Sequence, residues 1–148
     1  MITEKRINKL KQELSNMNLD GMYVTNLTNV RYLTGFTGSA GSVLVLENEN
    51  HFFTDGRYIE QSKEQIKNCQ IHIVGSAHYA AMAQLKLLQS GISIAIEGDA
   101  VSVNLFDNIK IALPQVNWEK VSDIIGVIAA VKDDTEIAAL KTAIEITD

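Results

Sequence analysis

The sequence predicts an α/β domain built on a mixed sheet, and three observations carry that prediction. Short apolar runs rich in β-branched residues alternate along the chain with stretches of helical periodicity. Two of those runs, 42–46 and 51–54, are separated only by the polar tetrapeptide Glu47-Asn-Glu-Asn50, which writes one antiparallel hairpin into the alternating order. With 148 residues, 46% of them apolar, the chain suits a single domain with a substantial core.

The elements follow in order. Ile7, Leu10, Leu14 and Met17 recur at spacings of three and four between charged residues, which predicts an amphipathic helix from Thr3, its cap, to about Met17. Asp20-Gly21 stops it, and 22–25 reads as a short buried strand. Asn26 can cap a second short helix that turns Leu27, Val30 and Leu33 inward and delivers Arg31 and Tyr32 to the following loop. The hairpin comes next, then a helix from Arg57 to about Lys67 and a strand over 70–74. A helix over 78–89 ends at Gly91, and 92–96 is a strand dominated by isoleucine. A helix from Ser102 carries Val103, Leu105, Phe106 and Ile109. Pro114 closes it before a short edge strand at 116–118.

Charge and composition exclude several functions. Lys plus Arg number 13 against 18 Asp plus Glu, a net charge of −5 spread along the chain, which argues against nucleic acid or an anionic membrane as partner. No apolar run approaches the ~20 residues of a membrane span, and the first segment reads as a charged helix rather than a signal peptide, so the expectation is a cytoplasmic protein. Cys69 is the only cysteine, which rules out an intrachain disulfide and favours a structural thiol. His51, His72 and His78 lack metal-ligand spacing.

Two turn-rich stretches interrupt the apolar pattern: Asn29-Val-Arg-Tyr-Leu-Thr-Gly-Phe-Thr-Gly-Ser-Ala-Gly41 and Thr54-Asp-Gly-Arg-Tyr58. Glycines at 35, 38 and 41 permit positive φ or close approach, while Arg31, Tyr32 and Phe36 add a cation and two rings. The hairpin joins its own strand ends, so residues 38–41 and 55–58 are expected side by side as one surface. Each residue also has a plainer reading. Asp55 can be an N-cap, Tyr58, Tyr32 and Phe36 can be core, and Arg31 can be solvated.

Tyr32-Leu-Thr-Gly-Phe-Thr-Gly-Ser-Ala-Gly41 followed by Thr54-Asp-Gly-Arg-Tyr58 resembles the amino-terminal domain of the creatinase, prolidase and Xaa-Pro aminopeptidase family, the pita-bread metallopeptidases. The Gly-Ser-Ala-Gly and Asp-Gly-Arg-Tyr pieces are most similar to the Xaa-Pro aminopeptidase branch. The resemblance spans essentially the whole chain and implies a ribonuclease H-like, three-layer α/β/α arrangement. It implies a non-catalytic domain that shapes the entrance to a proline-specific active site and assists oligomerisation, usually as a homodimer. The substrates implied are short proline-containing peptides. Two divalent metal ions, usually manganese, would be held by two Asp, one His and two Glu of the carboxy-terminal catalytic domain. None of those ligand motifs lies in this chain, so no catalytic or metal residue is expected here. The entrance and inter-domain candidates carried over are Arg31, Tyr32, Phe36, Thr37, Gly38, Ser39, Asp55, Arg57 and Tyr58. A creatinase-like amidinohydrolase and a free-standing binding domain stand as alternatives.

Asp133-Asp-Thr-Glu136 has a capping-box pattern, and Ile137, Leu140 and Ile144 then recur at helical spacing with no stop signal before Asp148. Residues 131–143 resemble the junction that opens the family's catalytic domain, with Ala129 where Arg is common. The expected division is therefore 1–128 as the amino-terminal domain and 129–148 as the junction and first helix of a truncated catalytic domain.

Overall fold

The computed structural model describes residues 2–131 and 133–147, with side chains for all of these except 134–136 and 144–147. In chain order the elements are α1 (Ile2–Asn16), β1 (Gly21–Val24), α2 (Leu27–Thr34), β2 (Ser42–Leu46) and β3 (Asn50–Thr54). A single 3-10 turn (Gly56–Tyr58) leads into α3 (Ile59–Gln65), β4 (Gln70–Ile73), α4 (His78–Gln84) and β5 (Ser93–Glu97). Then come α5 (Val103–Ala112), β6 (Asn117–Val121), α6 (Ile124–Ala130) and α7 (Asp134–Thr147).

The strands form one mixed sheet in the order β4-β3-β2-β1-β5-β6. The β1–β2 and β2–β3 pairs are antiparallel, and the β3–β4, β1–β5 and β5–β6 pairs are parallel. Alternation along the strands then divides the core. Met22, Val24, Val43, Val45 and Phe52 face a layer formed by Ile7, Leu10 and Leu14 of α1, Val30 and Leu33 of α2, and Ile125 and Ile128 of α6. Tyr23, Leu44, Phe53, Ile94 and Ile96 face Met82 of α4 and Ile109 of α5. Both faces are covered, which makes the three layers the resemblance implied.

Several local expectations shift. Thr3 lies inside α1 rather than ahead of it, and Met17 is 47% exposed because the helix ends at Asn16 and the chain turns away through Asn18 at φ 59°. Asn26 does cap α2, its side chain accepting from the amides of Thr28 and Asn29, but Leu27 on the first turn stays 40% exposed. The helix expected after Arg57 is divided into the 3-10 turn and α3. The one expected over 78–89 ends at Gln84, where Lys86 at φ 54° reverses the chain and lets Leu88 reach the core from a turn. β6 is the expected edge strand but runs on to Val121.

The sequence reading held no expectation for α6, which places Ile125 and Ile128 in the core. α7 occupies the expected place after residue 133, with Ile137 and Leu140 exposed; the rest of the capping box and Ile144 lie outside the described side chains. Asp133 itself is buried and receives Arg6 Nε at 2.6 Å. Arg6 also donates through Nη1 to the Tyr32 carbonyl at 3.0 Å and lies 4.3 Å from the centre of the Tyr32 ring. Among the described residues no helix is long and apolar enough to cross a membrane.

Glu97, buried at the end of β5, fixes the turn from β1 into α2. Its Oε1 accepts from the amides of Thr25 and Asn26, at 2.7 and 3.0 Å, and its Oε2 from Asn29 Nδ2 at 2.6 Å. Glu97→Ala is expected to cost about 1–3 kcal/mol in urea denaturation, because two amides lose their acceptor. A loss under about 0.5 kcal/mol, the range of an ordinary surface change, would show that water replaces the carboxylate.

Candidate functional site

The carboxyl ends of β1, β3, β4 and β5 and the amino end of β2 share one rim of the sheet, and both turn-rich stretches lie on it. The hairpin register, with Ser42 opposite Phe53, sets loop 35–41 against residues 54–58. Thr54 Oγ1 donates to the Ala40 carbonyl at 2.6 Å, and the Ser39 amide donates to the Tyr58 hydroxyl at 3.1 Å. The Ser39 and Tyr58 hydroxyls also bond each other. A Cβ at Gly38 would collide with the Phe36 and Tyr58 rings, so that position demands glycine for proximity, whereas Gly35 demands it for its φ of 82° at the end of α2.

Helix α3 braces the same loop. The Thr37 amide donates to Gln65 Oε1 at 3.0 Å, and Thr37 Oγ1 accepts from Gln61 Nε2 at 3.0 Å and Gln65 Nε2 at 2.9 Å. Asp55 both caps the 3-10 turn and grips the Arg57 side chain. Its Oδ1 accepts from the Arg57 amide at 3.0 Å as an N-cap and from Arg57 Nε at 2.9 Å, while Oδ2 accepts from Nη2 at 2.8 Å. The Arg57 hydrogen bonds hold the Asp55 carboxyl down to about 2, and the bonds from Ser39 pull the Tyr58 phenol below its ordinary value.

Of the candidates, Thr37, Gly38, Ser39, Asp55, Arg57 and Tyr58 therefore come together. Phe36 does not join them at the surface. It is 1% exposed, its ring 4.8 Å from Phe52 and edge-on to Tyr58 at 5.4 Å, so it supports the rim from below and cannot wall an opening. Tyr32 is half-buried against Arg6 because the register of α2 directs it toward α1, not toward the loop. Arg31 is exposed in the last turn of α2.

Sequence reasoning missed Gln61, Gln65 and a hydrogen-bonded chain on the same rim. Tyr23 donates to Ser42 Oγ at 3.0 Å, and Ser42 Oγ lies 2.6 Å from His78 Nδ1. These three residues sit on β1, β2 and α4, and only the sheet order brings them together. A cleft of about 330 Å³ opens over them, bounded by Thr25, Leu27, Ser39 and Leu105.

The remaining titratable groups read as structural. His51 Nδ1 and His72 Nε2 are 2.9 Å apart across β3 and β4. Among the described residues no three His, Cys, Asp or Glu side chains are grouped as metal ligands, so this part of the chain offers no donor set for the implied metal pair. Burial pushes the Cys69 thiol up to about 12, which keeps it protonated and poorly nucleophilic.

Residues 6–131 match the family model described as the creatinase/prolidase N-terminal domain. The chain belongs to that family. This creatinase/prolidase N-terminal domain is 30% identical over 144 residues to the uncharacterized peptidase YqhT of Bacillus subtilis, covering 97% of this chain and 40% of the relative. Among solved structures, the Xaa-Pro dipeptidase from Bacillus anthracis matches with a TM-score of 0.84 and 28% identity over 95% of this chain and 39% of that one. The N-terminal domain of the cytoplasmic peptidase PepQ from Mycobacterium tuberculosis matches with a TM-score of 0.74 and 28% identity, over 84% of this chain and 98% of that domain. The chain spans about 40% of the length of the curated relatives it matches.

Two pH responses follow from the shifted groups of the domain. Asp55 is held near 2, below an ordinary Asp near 4, so the Asp55–Arg57 contribution is full above about pH 4 and is lost as pH falls through about 2. Carboxyl-carbon NMR is expected to give that low midpoint, and Arg57→Ala to return it toward 4; an ordinary midpoint in the unmodified chain would show the fork to be open in solution.

Burial lowers His72, with His51 adding to the effect, and burial lowers His78 against the opposing charge of Asp55. Both histidines protonate more readily unfolded, near 6.5, than folded, so their contribution is full above about pH 6.5 and declines below it. Urea midpoints are expected to fall between pH 7.5 and 5. A level or rising midpoint would contradict this.

Proposed function

We propose that this chain is the non-catalytic amino-terminal domain of a cytoplasmic Xaa-Pro peptidase and shapes the entrance to the active site of the catalytic domain that follows. The observation that carries the reading is the fusion of the two family motifs into one braced rim whose outermost group, Arg57, is 66% exposed and already oriented by Asp55. Relatives of more than twice this length, with peptidase and Xaa-Pro dipeptidase among their names, support it.

In this reading Arg57 meets a peptide carboxylate or an acidic group of the catalytic domain, as a planar fork suited to carboxylates. Tyr58 and Ser39 line the opening, and Thr37 and Gly38 hold its shape. A pair of divalent ions, manganese in the simplest case, would be held by residues of the catalytic domain and would supply Lewis-acid activation of the carbonyl and of water; no described residue of this chain would hold it. In this reading 129–148 are the junction and first helix of the catalytic domain, a division supported by Ile128 being the last core residue of α6. The whole protein in this reading is a homodimer that acts on short proline-containing peptides.

The test is Arg57→Ala in the protein carrying both domains. The variant is expected to fold and to lose about tenfold in kcat/KM for Xaa-Pro substrates, roughly the value of one charge-assisted contact. Unchanged kinetics would return Arg57 to a purely structural role. The 148-residue chain alone, supplied with manganese, is expected to release no proline, and release would overturn the assignment.

A further inference from the structure

The cleft beside Ser39 contains a hydrogen-bond donor that the entrance reading leaves unused. Tyr23 is 3% exposed, and burial raises its phenol to about 12, so its proton stays in place and is donated to Ser42 Oγ. Ser42 Oγ accepts from Tyr23 and lies 2.6 Å from His78 Nδ1, and among the described residues these are its two partners, so its own single hydrogen is satisfied when it is given to Nδ1. A neutral imidazole that accepts at Nδ1 carries its proton on Nε2. In that arrangement Ser42 and Tyr23 select the Nε2–H tautomer of His78. Among the described residues no hydrogen bond occupies Nε2, and His78 lines the cleft together with Leu27 and Leu105.

We propose that this cleft is a binding subsite for a carbonyl-type oxygen beside an apolar side chain, with His78 Nε2–H donating to the oxygen and Leu27 and Leu105 flanking the side chain. Ser42 and Tyr23 are positioning residues that act through His78. Within about 330 Å³ the cleft accommodates one amino-acid unit rather than a long segment. The proposal rests on the entrance reading only in taking the oxygen to be that of a peptide. An internal carbonyl and a terminal carboxylate share the required chemistry. The negative charge of Asp55, which acts on His78, favours the neutral carbonyl.

The test is NMR of the 148-residue chain at pH 7.5. Imidazole nitrogen shifts are expected to show His78 as the Nε2–H tautomer, and Tyr23→Phe, which no longer directs the Ser42 hydrogen, to give a mixture. N-acetyl-leucine methylamide and N-acetyl-leucine supply the two oxygen sources. Saturable shifts at His78 Nε2 and the Leu105 methyls are expected, with a dissociation constant on the order of millimolar for so small a ligand in an open cleft. Tighter binding of the methylamide identifies a peptide carbonyl, and tighter binding of the acid a carboxylate terminus; either supports the subsite.

His78→Ala is expected to weaken binding about three- to tenfold, and His78→Gln, which restores a donor, to recover most of it. An Nδ1–H tautomer in the unmodified chain, no saturation by either ligand, or equal binding by His78→Ala overturns the proposal. The first two outcomes need no variant to fold. A subsite that fills in a protein without Xaa-Pro hydrolysis would remove the peptidase reading and leave the cleft; an active enzyme whose cleft stays empty would do the reverse.

Discussion

The pairing of Ser42 with Phe53 at the open end of the β2–β3 hairpin is the constraint on which the rim depends. With β2 held on β1, a slip of one residue in this pairing would turn Phe52 away from the α1 and α2 layer and Phe53 away from the α4 and α5 layer, so the separate packing of the two rings fixes the register. With the register fixed, the segments leaving the two strands at that end have no freedom to separate. The Thr54–Ala40 and Ser39–Tyr58 bonds then form between neighbours, and loop 35–41 acquires a defined shape with little regular structure of its own.

Two arginine–carboxylate pairs illustrate how location changes what such a contact does. Arg57–Asp55 lies in solvent, is open to screening by salt, and contributes little to stability in return for orienting a cation. Arg6–Asp133 lies where its side chains are 13% and 5% exposed, and removing either partner would strand a charge away from water. Because Arg6 also holds the Tyr32 carbonyl and ring, the pair joins α1, α2 and the approach to α7. The rim has the pair suited to recognition, and the contact of α1 with α2 and the segment before α7 has the pair suited to holding elements together.

Much of this was legible because it was local. The hairpin, the Asn26 cap, the helix start near Ser102 and the alternation of strands with helices are written in residues a few positions apart, where turn chemistry and periodicity act directly. What the sequence concealed was long-range or depended on side-chain direction. That Phe36 and Tyr32 can be core follows from their rings, but not their directions: the end of α2 turns one under the loop and the other toward α1. Gln61 and Gln65 look like ordinary helix surface until α3 lies beside Thr37. Tyr23, Ser42 and His78 carry no spacing signal, since their meeting depends on β1 pairing with β2 and on α4 covering the same face.

A domain without a metal donor set among its described residues can still influence chemistry elsewhere by presenting donors in fixed directions. Arg57 has five N–H groups, and Asp55 accepts two of them through the side chain, at Nε and Nη2. The carboxylate therefore takes one edge of the guanidinium and leaves the other edge for a partner. His78 follows the same logic without charge, one nitrogen held by Ser42 and the other left to donate. In both cases an intramolecular bond has already restricted the side chain, so less conformational freedom remains to be lost on binding. Preorganisation of this kind, built from turn chemistry and sheet order, is the contribution that a rim of this composition can make to a reaction centre it does not itself contain.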